Sequence, residues 1–174
     1  MKALSLFLVI LPFIATAAEQ SPYAGEEARG VKSLSEKEIA QLRSGAGMGL
    51  AKLAELNQYP GPKHVLELAD QLDLNEGQLE ATQELFASVK RDAIALGEQI
   101  VEAESELDQA FADADITAET LRSMTLEIGR LRAELRLVHL AAHLRQAEVL
   151  RPDQIIRYDE LRGYGGHKEH RHQH

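Results

Sequence analysis

Residues 121–142 read LRSMTLEIGRLRAELRLVHLAA, and residues 79–110 carry the same kind of pattern. In both segments apolar residues recur at alternating steps of three and four, which is typical of long helices that pack along a shared seam. The pattern therefore predicts two long helices rather than strands. The seam positions are Leu79, Thr82, Phe86, Val89, Ala93, Leu96, Ile100, Ala103, Leu107 and Ala110, followed by Leu121, Met124, Ile128, Leu131, Leu135, Val138 and Ala142.

The connection between the two predicted helices is short and consists of residues 113–116. Such a connection requires the second helix to fold back antiparallel to the first, and Thr117 is predicted to cap it. The first helix is rich in Glu and Asp, so we expect it to face the arginines of the second. These arginines are Arg122, Arg130, Arg132, Arg136 and Arg145. The crowded carboxylates Glu102, Glu104, Glu106 and Asp108 are interpreted as a solvated face.

Shorter helices are predicted on both sides of this hairpin. Ser35 and Glu38 have the spacing of a capping box, and the glycines of residues 44–47 end the helix that starts there. Further short helices are expected over about 48–56, over about 62–72 with Pro62 as first residue, and from Pro152 to about Leu161. The predicted fold class is all-α, a long antiparallel helical hairpin with short flanking helices.

A second apolar stripe runs along the second long helix. One partner helix cannot cover both this stripe and the seam. We therefore expect the stripe to meet the short N-terminal helices, another protomer or a client protein. Its residues, called the leucine row below, are Leu126, Ala133, Leu137, Leu140 and Leu144.

Composition excludes several classes of function. The chain has 174 residues, of which 44% are hydrophobic and 27% charged, as expected for one globular domain. Its net charge of −9 would repel a nucleic-acid backbone, so nucleic-acid binding is not expected. The absence of cysteine excludes disulfides, thiolate zinc sites and a cysteine nucleophile. No other reacting constellation is present in the sequence, and we expect no enzymatic activity.

The first residues have the pattern of an export signal. Lys2 precedes an apolar run over residues 3–15, and Ala15-Thr16-Ala17 offers small residues for a signal peptidase. We predict a signal peptide over residues 1–18, cleaved after Ala17 or Ala18, and hence a periplasmic protein with no membrane contact after cleavage. An uncleaved membrane anchor is the alternative. Residues 19–33 are predicted to form a polar leader, 34–162 the helical domain and 163–174 a flexible His-rich tail.

Two five-residue segments repeat at matching places beside the hairpin. They are Leu74-Asn75-Glu76-Gly77-Gln78 and Leu150-Arg151-Pro152-Asp153-Gln154. In the first, Asn75 is placed to cap a helix and Gln78 to reach back to the amide of the cap residue. In the second, Arg151 stands at the cap position, so the helix start depends on Pro152. Both segments could be ordinary caps when each is considered alone.

With the export signal and the hairpin between them, the two segments resemble the Leu-Thr-x-x-Gln motifs of the Spy/CpxP family, over about residues 33–164. The motif residues are Leu74, Asn75, Gln78, Leu150, Pro152 and Gln154. Neither segment has the threonine. The resemblance implies a cradle-like homodimer that holds unfolded periplasmic proteins without ATP, inhibits a stress sensor kinase, or binds divalent metals. The chaperone branch presents a basic concave face, whereas this chain is acidic.

Histidines provide the candidate metal ligands. His139 and His143 lie four residues apart and so project from one helix face, and His64 is a possible third ligand. The alternative is that His139 and His143 are edge residues that pair with Glu or solvent. The tail adds histidines that could bind Zn, Ni or Cu or have no role. They are His167, His170, His172 and His174.

These patterns leave three hypotheses for function. The first is a periplasmic ATP-independent chaperone or envelope-stress adaptor that needs no cofactor. The second is a periplasmic heavy-metal sensor or buffer for Zn, Ni or Cu. The third is a structural scaffold of the envelope with neither activity.

Overall fold

A computed structural model describes residues 20–164, and all the regular structure in that range is helical. This confirms the predicted all-α class. The export signal over residues 1–18 and all four tail histidines lie outside the described residues. The helices are α1 (Glu36–Arg43), α2 (Lys52–Glu55), α3 (Pro62–Glu67), α4 (Glu76–Ala112), α5 (Ala118–Val149) and α6 (Pro152–Leu161).

The two long helices α4 and α5 pack against each other as the predicted hairpin. Ala114, with a φ of +54°, turns the chain between them. Thr117 caps α5 as predicted, because its Oγ1 accepts a hydrogen bond from the amide of Thr120 over 3.2 Å. With 37 and 32 residues, the helices are about 55 and 48 Å long.

The seam of the hairpin is buried where both sequences are apolar. Ala93 and Ile100 of α4 and Leu131 and Leu135 of α5 belong to one buried cluster. At the turn end the seam opens, and Leu121 is exposed although its position follows the period. The predicted seam is therefore confirmed along the middle of the hairpin and ends before the turn.

Helix α1 crosses α4 at a glycine. A Cβ on Gly97 would lie 2.2 Å from the carbonyl oxygen of Leu42, so only glycine permits the two backbones to approach this closely. Leu42 is buried in the same cluster as the seam, and Val31 and Leu34 extend that cluster toward the N-terminus. Packing therefore begins at Val31, inside the segment predicted to be a polar leader.

A second buried cluster closes the open end of the hairpin. It is formed by Val65 of α3, Leu72 after α3, Leu150 at the end of α5 and Tyr158 of α6. Tyr164 packs against this cluster, so the packed part of the chain extends to the last described residue. Helix α2 begins at Lys52, later than predicted, and α3 ends at Glu67, earlier than predicted.

Electrostatic contacts between the long helices differ from the expectation. Within residues 20–164, one ion pair joins α4 and α5, between Arg132 and Glu104 at 2.6 Å. Arg130 pairs instead with Glu127 and Glu134 on its own helix. The interpretation of the whole acidic run as solvated is wrong for Glu104, which is buried and also accepts a hydrogen bond from Ser33.

None of the helices in residues 20–164 is both long enough and apolar enough to cross a membrane.

Candidate functional site

The leucine row lies on the outer face of α5. Leu126 and the buried seam residue Leu135 are nine residues apart, which is two and a half helical turns, so their side chains point in opposite directions. Leu126, Leu137 and Leu144 are 60%, 64% and 54% exposed. The short N-terminal helices therefore leave these three leucines uncovered. Ala133 is also exposed, whereas Leu140 is half-buried.

Arginines flank this row on the same helix. Arg122, Arg130 and Arg136 are all exposed. The charge of Arg130 is balanced by Glu127 and Glu134 within α5. Arg122 and Arg136 make no ion pair within residues 20–164. The surface around the leucine row is thus apolar at its centre and locally basic at two positions, although the whole chain is acidic.

A cavity of about 570 Å³ lies near the open end of the hairpin and contains all three histidines proposed from the helical part of the sequence. Residues 44–49, α2 and the start of α3 form one side, and α4 and α5 form the other. His64, His139 and His143 all line it. Met48, which could be taken for a core residue, also lines the cavity and is 38% exposed.

Glu55 organises the inner wall of this cavity. Its Oε1 accepts hydrogen bonds from the hydroxyl groups of Tyr158 over 2.5 Å and Tyr164 over 3.2 Å. Arg162 Nε lies 3.4 Å from the same oxygen. The other oxygen, Oε2, is buried without a hydrogen-bond partner and lies 3.7 Å from His143 Nδ1. The carboxylate is therefore held firmly through one oxygen while the second remains available.

His143 is fixed by the loop that precedes α3. Its Nδ1 lies 2.7 Å from the carbonyl oxygen of Tyr59, so this nitrogen carries the proton and donates. A Cβ on Gly61 would come within 2.9 Å of the His143 ring, so any larger residue at this position would clash with the imidazole. The imidazole is thus oriented by its neighbours and lies beside the carboxylate of Glu55, as the alternative of a histidine that pairs with Glu expects.

His139 is nine-tenths buried, and its Nε2 has no hydrogen-bond partner. Burial lowers the pKa of His139, and the nearby His143 lowers it further. A lowered pKa keeps the ring neutral at neutral pH, so Nε2 can donate or accept according to the tautomer. The cavity therefore holds an uncharged polar group with unused hydrogen-bonding capacity.

The third predicted ligand is already engaged. Nδ1 of His64 lies 2.7 Å from Glu67 Oε2 on the same short helix. In the part of the chain that the structure describes, no group of three or more His, Asp or Glu side chains is arranged to hold a metal ion. The structure thus brings the three histidines to one cavity without assembling them around one point.

The two repeated motifs meet at the open end of the hairpin. Asn75 Oδ1 accepts a hydrogen bond from the amide of Gln78, and Gln78 Oε1 accepts one from the amide of Asn75, which confirms the predicted capping box. Pro152 is the first residue of α6, and Gln154 Oε1 accepts from the amide of Arg151. Both glutamines are buried, and their side chains bond to each other. Leu74 and Leu150 pack in the cluster beneath them.

Several cavity residues carried no signal in the sequence. Glu55, Lys52, Lys63 and Lys90 are charged residues on polar helix positions, which normally indicates a solvated surface. Their convergence depends on where residues 44–49 and the start of α3 lie against the hairpin. A pattern within one helix cannot reveal a cavity that three separate segments form.

Comparison of the chain with protein-family models, with curated proteins and with solved structures finds no match. The resemblance to the Spy/CpxP family therefore stays a prediction. The expectation that the chain is not an enzyme stays a prediction as well.

Proposed function

We propose that this protein is a periplasmic ATP-independent chaperone or envelope-stress adaptor that binds unfolded or partner proteins on the leucine row of α5. The observation that supports this is the exposure of Leu126, Leu137 and Leu144 on the face opposite the seam. Covering apolar surface is favourable by about 25 cal/mol per Å². A client that presents apolar side chains would gain this free energy without any nucleotide.

The test is suppression of aggregation. An unfolded client is diluted from denaturant with and without a stoichiometric excess of the full chain, and aggregation is followed by light scattering. We expect the chain to suppress aggregation and the variant Leu126→Ser/Leu137→Ser/Leu144→Ser to lose most of this effect.

A control of matched size is available at α2. Leu126→Ser/Leu137→Ser removes two exposed leucines from the row, and Leu53→Ser/Leu56→Ser removes two leucines of 51% and 55% exposure at α2 and its C-cap. We expect the second of these variants to act like the unchanged chain. If the unchanged chain leaves aggregation unaltered at excess, the chaperone function is ruled out; if both variants lose activity equally, the leucine row is not the binding surface.

The periplasmic location is a separate part of the proposal and depends on residues 1–18. Export of the full-length chain should leave a mature protein that begins at Ala18 or Glu19. Intact-mass measurement of the protein from the periplasmic fraction tests this. A chain that keeps Met1 and stays in the cytosol contradicts it.

The cradle-like homodimer is also a proposal. Sedimentation of the full chain over a range of concentrations measures it. If the dimer forms and the leucine-row variant is monomeric, the row is a contact between protomers and not a client surface.

A second candidate function is binding of Zn, Ni or Cu. One observation favours it, namely that His64, His139 and His143 line the same cavity as Glu55. Calorimetry with each metal, on the full chain and on a chain ending at Tyr164, separates the cavity from the tail and keeps the hydrogen bond from Tyr164 to Glu55. Heat that persists in the shortened chain and disappears in His139→Ala/His143→Ala supports a cavity site. Heat that disappears with the tail leaves these two histidines structural.

A further inference from the structure

The cavity beside residues 44–49 is cationic in a chain whose net charge is −9. Lys52, Lys63, Lys90 and Arg162 line it together with the single carboxylate of Glu55. Arg162 lies against Glu55, so that carboxylate is already balanced. Of the three lysines, Lys52 and Lys90 are unpaired within the described residues and therefore dominate the charge that an incoming ligand meets.

Two of the three lysines are not neutralised by the protein. Lys52 and Lys90 make no ion pair within residues 20–164, whereas Lys63 pairs with Glu67 at 3.8 Å. All three are exposed at the rim. Unbalanced charges of one sign around a concave surface attract ions of the opposite sign and repel those of the same sign. The rim therefore favours an anion over a divalent metal.

The walls of the cavity are apolar. The half-buried side chains of Phe86 and Val89, together with Ala142 and Pro62, line it. At about 570 Å³ the cavity has the size typical of sites for small organic molecules. An inorganic anion would leave these walls uncovered, whereas an anion with an apolar body would cover them.

The inner surface offers a polar atom that the protein leaves unused. Nε2 of His139, on a side chain nine-tenths buried, lacks a hydrogen-bond partner and lines this cavity. Buried polar groups are nearly always satisfied in folded proteins, so an unpaired one in a cavity indicates a place for a ligand or water. Oε2 of Glu55 is also unpaired, but it only accepts and needs a donor such as water, which a carboxylate ligand does not supply.

We infer that this cavity binds a small organic carboxylate, with the carboxylate group held by Lys52, Lys63 and Lys90 and the apolar body packed against Phe86 and Val89. Two sources have this chemistry, a free organic acid and the C-terminal residue of a peptide. The site is separate from the leucine row, so it does not depend on the chaperone proposal.

Calorimetry on the full chain tests this with matched probes. Octanoate carries the charge and the apolar body, octanamide has the same body without charge, and octylamine reverses the charge. We expect octanoate to bind at least tenfold more tightly than octanamide and octylamine to bind weakest. A tetrapeptide ending in leucine, compared as free acid and as amide, distinguishes a peptide terminus from a free acid as the source.

Variants locate the binding. Lys52→Gln/Lys90→Gln should weaken octanoate binding at least fivefold and reduce its dependence on salt. Lys37→Gln is the matched control, because Lys37 is an exposed lysine on α1 outside the cavity. Amide shifts in NMR spectra should change at Gly47 and Gly49 on titration in the unchanged chain.

Three outcomes would overturn the inference. Octanoate could bind no more tightly than octanamide, the double variant could bind like Lys37→Gln, or Zn²⁺ could bind in the cavity while octanoate does not. The last result supports the metal-binding function instead. None of these outcomes bears on aggregation suppression, so failure here and failure of the chaperone proposal are distinguishable.

Discussion

The side-chain amides of Gln78 and Gln154 bond reciprocally, with Gln78 Nε2 donating to Gln154 Oε1 over 2.8 Å and Gln154 Nε2 donating to Gln78 Oε1 over 3.2 Å. Each amide also donates to a backbone carbonyl oxygen across the hairpin end, that of Val149 from Gln78 and that of Leu72 from Gln154. One pair of side chains thus caps two helices and joins segments 76 residues apart. This gives a physical reason for the repeat of Gln at the same motif position.

Replacing either glutamine by methionine tests this pair. Gln78→Met or Gln154→Met keeps the length of the side chain but leaves the other amide and a carbonyl oxygen buried and unpaired, which costs about 1–3 kcal/mol. The double variant should lose less than the sum of the two, with a coupling of about 1 kcal/mol in the free energy of unfolding. Urea unfolding followed by circular dichroism measures this. Gln83→Met, at an exposed position of α4, is the control, and single variants as stable as this control would contradict the prediction.

Two helical glycines should respond in opposite ways to alanine. Gly97→Ala places a Cβ 2.2 Å from Leu42 O, so α1 must move and stability should fall by about 1–3 kcal/mol. Gly129 in α5 has open space around the added Cβ, so Gly129→Ala should raise stability by about 0.5–1 kcal/mol through helix propensity. Thermal and urea unfolding compare both variants. Equal effects of the same sign would show that α1 does not lie on Gly97.

The buried carboxylate of Glu104 should hold the N-terminal segment on the hairpin. It accepts hydrogen bonds from Ser33 Oγ over 2.8 Å and from Arg132 over 2.6 Å. Glu104→Gln should cost about 1–3 kcal/mol, the lower end being expected because Arg132 is about half exposed and its charge is screened. Hydrogen exchange near Val31 should become faster. Glu102→Gln, two residues away and exposed, should change neither quantity; equal effects of the two variants would refute the role of Glu104.

Much of the helical framework could be predicted because its causes are local. A cap such as Asn75 needs only Gln78 three residues later, and the seam needs only a regular apolar period. The same locality explains why Thr117 and Pro152 were assigned correctly as helix starts. A capping interaction between residues three positions apart forms in the folded chain whichever segment packs against that helix.

The cavity and the burial of Glu104 could not be predicted, because both depend on contacts between distant segments. Nothing near Glu104 in the sequence indicates that Ser33, 71 residues earlier, returns to it. Gly97 fills a helix position at which glycine is ordinarily unfavourable, and the reason becomes visible only when α1 is seen to cross there. Whether a charged residue such as Glu104 is buried therefore depends on tertiary contacts and not on the pattern of its own helix.

Tyr158 should make stability depend on alkaline pH. Its side chain is fully buried and its hydroxyl donates to Glu55, and burial followed by this hydrogen bond raises its pKa far above the ordinary value of about 10. Above pH ~10 the tyrosine of the unfolded chain releases its proton, while Tyr158 in the folded chain keeps it. The stabilisation is therefore complete below pH ~10 and is lost as pH rises further, by up to about 1.4 kcal/mol per pH unit.

The variant Tyr158→Phe should remove this dependence of stability on alkaline pH. At pH 8 it should be less stable by about 1–3 kcal/mol, because a hydrogen bond to a charged group is lost, and the difference from the unchanged chain should narrow between pH 9.5 and ~11. Urea unfolding across this range gives the free energy of unfolding against pH for the unchanged chain and for the variant. Absorbance at about 295 nm follows tyrosine ionisation. Tyr23→Phe, at a mostly exposed position, should run parallel to the unchanged chain. If the Tyr158→Phe curve also runs parallel, the hydroxyl of Tyr158 is not held against the Glu55 carboxylate in solution, and the inner wall of the cavity is arranged differently.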